Sequence, residues 1–220
     1  MNKHLIVGAG GVASWLVPLL KHTLPPEDEI TIVDGDILES KNLDRQFFGP
    51  EWIGWNKAEA LAEIYNTKWE NYYLSRDCYL LTHPPRFEVI WCCADNHPAR
   101  KLVLELVEEG VADWAIIGGN EYTDSEAYAY CIDWQGTSGD PLCYYPEILE
   151  DQSGDPLRPF RCQGQAQAQN RQLALANYLA AGFMVHLYWF LNQCGKGVDQ
   201  AHWPVRHWSN FASFNTKSYL

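Results

Sequence analysis

ITIVDGDILESKNLDRQFFGPEWIGWNKAEALA, residues 30–62, is the stretch whose reading decides the fold. It opens on Ile30-Thr31-Ile32-Val33, the β-branched composition that a buried strand takes. The run stops at two carboxylates, Asp34 and Asp36. A loop carrying Asn42, Arg45 and Gln46 follows, and Lys57 opens a run with apolar residues at helical spacing as far as Tyr65. Strand, acidic strand end, polar loop and helix make one βα unit, the building block of parallel sheets. Acids, cations and carboxamides gathered in one such unit read as a site for a magnesium-bound polyphosphate. The cations would neutralise phosphate charge, and the acids would hold the metal or a ribose.

Working outward, residues 4–7 form a short apolar strand and run into GAGGVA at 8–13. Small residues there permit a tight turn and let backbone N–H groups approach a phosphate. A helix over about 12–21 would aim its positive end at that anion. Pro18 is expected to end or kink this helix. The glycines also fit the dinucleotide fingerprint GxGxxG/A, with Asp34 at the offset of a ribose-binding acid. On the other side, LPPED at 24–28 is a turn, 69–74 a further strand candidate and 82–86 a proline-containing loop. Residues 87–93 form a continuous apolar run of buried-strand type ending at Ala94-Asp95-Asn96. A helix over 98–109 starts at Pro98, a residue suited to a first turn. Residues 114–117 are another buried strand, before Gly118-Gly119. The order is strand–helix repeated, which predicts an α/β, Rossmann-like, mostly parallel sheet flanked by helices. Gly8 to Gly11, Asp34 and Asp95 then fall on one sheet edge, where such sheets bind ligands.

The pattern changes in the second half. Residues 127–132 alternate like an antiparallel strand, and 134–164 are rich in Gly, Pro, Asp and Ser without periodicity. A connection that long is suspected of function. Residues 165–191 read as one long helix, polar and then strongly apolar, and 203–219 as an aromatic hairpin packed on the sheet. The fold class therefore includes an antiparallel extension in the C-terminal part. The expected organisation is one domain over 1–220, with a nucleotide-binding half (1–120), a crossover loop (134–164), and the long helix and aromatic tail (165–220).

The chain has 220 residues, 47% hydrophobic and 20% charged, which excludes a disordered or fibrous protein. A net charge of −12 argues against a nucleic-acid partner, whose binding relies on clustered Lys and Arg. No signal peptide is read at the start, and the longest apolar run, 180–191, contains His186 and is too short to cross a bilayer. A cytoplasmic protein without membrane contact is expected. The seven cysteines include no CxxC pair and the seven histidines are irregularly spaced, so zinc is not expected.

GAGGVA (8–13), VDGD (33–36), NLDRQF (42–47), IGWNKAEALA (53–62) and CADNHPAR (93–100), in that order and spacing, resemble the ThiF/MoeB/HesA family, the superfamily of ubiquitin-activating enzymes. The resemblance covers roughly the first half of the chain. It implies an ATP- and Mg2+-dependent adenylyltransferase acting on the C-terminal carboxylate of a ubiquitin-like β-grasp protein, with release of pyrophosphate. It also implies that Gly8, Gly10 and Gly11 approach the phosphates and that Asp34 binds the ribose hydroxyls. Asn42, Arg45 and Gln46 would surround the α-phosphate and the acyl carboxylate, Lys57 would bind phosphate, and Asp95, assisted by Asp36, would hold magnesium. CYYPEI (143–148) is similar to the family's cysteine-then-proline segment. Cys162, with Arg158 and Arg161 nearby, stands where sulfur-transfer and thioester-forming members carry a cysteine on a crossover loop. A conjugating-type enzyme or a sulfur donor, and a homodimeric or heterodimeric arrangement, follow from the same resemblance.

The sequence departs from the family in lacking the paired CxxC motifs, the arginine-donating helix before the first strand, and an appended ubiquitin-fold domain. A minimal adenylation core is expected, with the dimer arrangement left open. Two other readings stay open: a non-catalytic half of a heterodimer with the same fold, and an NAD-dependent oxidoreductase that uses GAGGVA as a dinucleotide turn. The latter leaves Arg45, Gln46 and Lys57 without a task.

Overall fold

The computed structural model describes residues 1–78, 85–120, 124–150, 174–194, 206–210 and 215–219. Its frame is an eight-stranded sheet of order β3-β2-β1-β4-β5-β6-β7-β8. The strands are β1 (Lys3–Val7), β2 (Glu29–Val33), β3 (Lys68–Glu70), β4 (Phe87–Cys92), β5 (Ala112–Asn120), β6 (Asp124–Tyr130), β7 (Arg206–Asn210) and β8 (Asn215–Tyr219). Strands β1 to β5 pair in parallel, and β6, β7 and β8 follow antiparallel, as the expected fold class requires.

The helices are α1 (Gly11–Thr23), α2 (Lys57–Tyr65), α3 (His97–Glu108), the short α4 (Glu147–Glu150) and α5 (Ala174–Cys194). Strand order runs one way from β1 to β3 and the other way from β4 to β5. Right-handed crossovers therefore place α1 and α2 on one face and α3 on the other. Helix α1 packs on α5, which lies against β5 and β6, while α3 packs against β4, β5 and α4. The core fills from both faces with Leu5, Ile6, Leu16, Leu20, Ile32, Ile90, Trp91, Leu106, Ile116 and Met184, all fully or almost fully buried.

Several expectations are corrected. Helix α1 continues through Pro18 to Thr23. The missing N–H costs one bond to the preceding turn, but Leu16, Val17 and Leu20 are buried on either side of the proline, and this packing keeps the helix running. The strand expected over 69–74 is Lys68–Glu70, because the chain leaves the sheet at Asn71, whose side-chain oxygen accepts from Asn56 Nδ2 at 2.9 Å. The aromatic stretch joins the sheet as β7 and the edge strand β8 instead of packing on it. Part of the structureless stretch is ordered into single 3-10 turns (Ile132–Trp134, Pro141–Cys143) and α4.

Helix α5 has 21 residues, more than the apolar run suggested, so Ala174–Gln193 is long and apolar enough to cross a membrane. In this fold, Ala176, Ala180, Ala181, Met184 and Leu187 are buried, and the helix packs on α1, β5 and β6. Residues 165–173, expected to be helical, lie outside the described residues.

Candidate functional site

The parallel strands end level. Val7 is in register with Val33 on one side and Cys92 on the other, so the segments that follow β1, β2 and β4 leave the sheet side by side. This is the point where the strand order reverses, with β1 between β2 and β4. Gly8 has φ +86°, and a Cβ there would meet the Ala94 backbone nitrogen at 3.1 Å. Glycine thus lets the ends of β1 and β4 approach each other. Gly10 caps α1 without a side-chain acceptor, so the first-turn amides of that 13-residue helix have no cap from this residue.

Asp34 is buried and fastens the turn to β2. Its Oδ2 accepts from the Ala9 amide at 2.6 Å and its Oδ1 from the Asp36 amide at 2.7 Å. Burial pushes its carboxyl above the ordinary range, against the opposing pull of Lys57 and these two amides. Lys57, at the start of α2 with its side chain only 10% exposed, places Nζ 2.8 Å from Asp36 Oδ2. The other Asp36 oxygen accepts from the Tyr73 hydroxyl. The Tyr73 ring also lies against Gly35, where a Cβ would come within 2.7 Å of a ring carbon.

Gln46 is buried beside Gly10, its Nε2 being the nearest atom to a Cβ built there, at 3.9 Å, and its Oε1 has no hydrogen-bond partner. Asn42 is buried and uses its Oδ1 to accept from the Glu39 amide at 2.9 Å, closing the 3-10 turn at Ser40–Asn42. The Arg45 guanidinium turns back on its own loop, donating to the Lys41 carbonyl at 3.0 Å and to Asp44 at 3.2 Å. Asp95 is exposed just beyond β4, and Asn96 behind it caps α3 by accepting from the Ala99 amide at 2.9 Å. The structure therefore brings Gly8, Gly10, Gly11, Asp34, Asp36, Gln46 and Lys57 together around the β1–β2 end, with Asp95 at the neighbouring strand end. Cys162, Arg158 and Arg161 lie outside the described residues. Cys143 is exposed, with its Sγ 3.3 Å from the Thr137 carbonyl.

Sequence reasoning missed three participants. Asn56 donates through Nδ2 to the carbonyls of Asp34 (2.8 Å) and Asp36 (3.1 Å), while its Oδ1 caps α2 at Ala58 and Glu59. An Asn just before a helical run is a recognisable cap signal. Tyr73 and Asn177 carried no such local signal.

At the opposite edge, His4 is fully buried, with Nε2 3.7 Å from Asp28 and 3.5 Å from Glu88. These three are of metal-ligand type. Trp91 Nε1 donates to His4 Nδ1 at 3.3 Å, however, which leaves the neutral ring's proton on the nitrogen that a metal would need.

A doubly wound sheet with a glycine turn, a strand-end acid and a lysine at its switch point defines a Rossmann-like α/β protein. The ThiF family model matches residues 2–119, more than half of the chain, and the protein belongs to the ThiF family. No curated protein sequence matches it. Among solved structures it is similar to PaaA, with a TM-score of 0.69 at 18% identity, covering 100% of this chain and 72% of that one. It is also similar to tRNA N6-threonylcarbamoyladenosine dehydratase, TcdA, of E. coli (TM-score 0.62, 18% identity, 88% of this chain and 87% of that one). E. coli MccB, crystallised with AMPCPP and MccA, matches with a TM-score of 0.62 at 18% identity, over 99% of this chain and 63% of that one.

Proposed function

We propose that this protein adenylates the C-terminal carboxylate of a ubiquitin-like protein, using ATP and magnesium. The observation that carries the reading is the level ending of β1, β2 and β4, which puts the glycine turn, Asp34 with the Asp36–Lys57 pair, and Asp95 on one edge of the sheet. The residues fit a nucleotide. The α1 amides have no cap from Gly10, and the Gln46 amide beside Gly10, with Nε2 as its nearest atom, carries a buried Oε1 that has no hydrogen-bond partner. Each Asp34 oxygen takes one backbone amide and keeps a lone pair for a ribose hydroxyl.

In the proposed reaction the partner's carboxylate oxygen attacks the α-phosphorus of ATP, a P–O bond forms, and pyrophosphate leaves. Lys57, prepositioned by Asp36, and Arg45 neutralise charge on the phosphates, and Gln46 orients the acyl group. Magnesium would supply charge neutralisation on the phosphate oxygens and would be held at Asp95; Asp36 has an oxygen on Lys57 and another on Tyr73. Association of MccB with AMPCPP and MccA in one crystal supports a nucleotide and a second chain as the pair of ligands. TcdA is a tRNA-modifying dehydratase; the charge of −12 here does not favour a nucleic-acid backbone.

A second step belongs to the same reading. The Cys162 thiolate attacks the acyl carbonyl of the adenylate, a C–S bond forms, the C–O bond to phosphate breaks and AMP leaves. The thioester then passes to a conjugating-type enzyme or a sulfur-transfer route, with the chain working as a homodimer or heterodimer. The test is ATP–pyrophosphate exchange with a panel of purified ubiquitin-like proteins. Exchange should require both ATP·Mg and one of the panel and disappear in Lys57→Ala and Asp95→Asn; wild-type exchange in both variants would overturn the assignment. A partner adduct that persists on non-reducing gels in Cys162→Ala removes the thioester step alone.

A further inference from the structure

We propose that Asn177, from α5, is a positioning residue that sets the Arg45 segment against the glycine turn; this rests on the nucleotide reading of the site. Asn177 is 132 residues from Arg45, yet its Nδ2 donates to the Arg45 carbonyl at 2.9 Å. The residue is 1% exposed, and its side-chain amide lies on the first residue of α1, since a Cβ on Gly11 would be 2.4 Å from Nδ2 and 2.6 Å from Oδ1. One amide therefore touches both structures that the proposed function places around the phosphates.

The neighbouring contacts act in the same direction. Tyr178 meets Trp15 edge-on at 5.5 Å, Trp15 stacks on Phe47 at 4.4 Å, and the Phe47 amide donates to Ser14 Oγ at 2.9 Å. These fix the chain just after Arg45, while the Asn177 bond fixes the Arg45 peptide itself. Holding that carbonyl fixes the backbone from which the guanidinium departs, so the reach of Arg45 depends on α5.

Packing alone does not explain an asparagine here. Its Oδ1 is buried with no hydrogen-bond partner, a penalty that an apolar residue of similar volume would avoid. What an apolar residue would lack is the Nδ2 donor. Because α5 follows the connection that carries Cys162, the same bond ties the chain beyond that connection to the nucleotide side of the site.

The test is titration calorimetry of the full chain with ATP·Mg and, separately, with adenosine, which has no phosphate for Arg45 to meet. Asn177→Ala should weaken ATP·Mg about fivefold, the fold-change of one net hydrogen bond, and leave adenosine unchanged. Asn177→Leu, which keeps about the same volume against Gly11 and loses the donor without adding a charge, should do the same and carries the test if the alanine variant does not fold. In an Arg45→Ala background, Asn177→Ala should produce no further loss, because the two act through one group. Losses that add, equal losses for adenosine, or unchanged ATP·Mg binding where Arg45→Ala weakens it would each overturn the positioning role and leave the nucleotide site standing. A wild-type chain that binds neither probe overturns both.

Discussion

At Gly8 the backbone has φ +86° and a Cβ would sit 3.1 Å from the Ala94 amide nitrogen, so conformation and space both demand glycine. Gly8→Ala should therefore lower stability by about 1–3 kcal/mol, read from urea unfolding; a loss near zero would show that the turn relaxes freely. Lys57 illustrates a different constraint. Its ammonium is almost covered and rests 2.8 Å from Asp36, so it is preorganised in place. Lys57→Met should reduce pyrophosphate exchange by about 100-fold or more, the size expected for one preorganised charge in a shielded site, with the urea midpoint barely moved; a loss below tenfold would remove Lys57 from the phosphate site. Asp34 and Lys57 were legible because strand end, loop and helix follow one another within a single βα unit. Tyr73 and Asn177 were not: one closes on Asp36 from 37 residues away and the other on Arg45 from 132. Tertiary contacts of that range leave no periodicity or spacing to read.

Among the elements, β1 carries consequences at both ends. At its C-terminal end lies the glycine turn; near its start is His4, buried against Asp28, Glu88, Trp91 and Tyr188. Burial pulls the His4 imidazole down to about 4, against the partial opposing effect of Asp28. A histidine that resists protonation when folded gives its full stability above the ordinary value of 6.5 and loses it as pH falls towards 4. Glu88 works in the reverse sense: burial raises it, so its contribution is present at low pH and fades as pH rises through the folded value. His207, also lowered to about 4 by burial and by His186, adds a slope of the same sign as His4. Comparing wild type with His4→Gln separates these effects. Between pH 7.5 and 4.5 the wild type should lose on the order of 2–3 kcal/mol more than the variant, measured by urea unfolding at each pH; equal losses would show that His4 does not resist protonation. Element boundaries were legible where pattern and packing agree, as in β1, β2, α2 and β4. They were misjudged where tertiary burial overruled a local rule, as at Pro18 in α1, or where a side-chain contact drew the chain out of the sheet, as at Asn71 after β3.

For the whole molecule, the decisive property is that the segments following β1, β2 and β4 leave the sheet on one edge, while β6 to β8 extend the sheet and α5 packs on β5 and β6, with Asn177 reaching across to the Arg45 carbonyl. A ligand bound at that edge touches segments following three strands, so its binding energy should appear as stability of the whole chain and not of one loop. At 100 times its dissociation constant, a ligand that binds the folded state alone adds about 2.7 kcal/mol, or about 5–10 °C in Tm for a chain of this size. ATP with magnesium should produce that shift, EDTA should reduce it, and Lys57→Ala should reduce it further. NAD at the same concentration separates the readings that share a glycine turn, because Lys57 and Gln46 have no task in dinucleotide binding. If NAD raises Tm and ATP·Mg does not, the edge belongs to an oxidoreductase. If ATP·Mg raises Tm but no ubiquitin-like partner supports pyrophosphate exchange, the same fold serves as the non-catalytic member of a pair. A shift with ATP·Mg together with partner-dependent exchange leaves the adenylating enzyme.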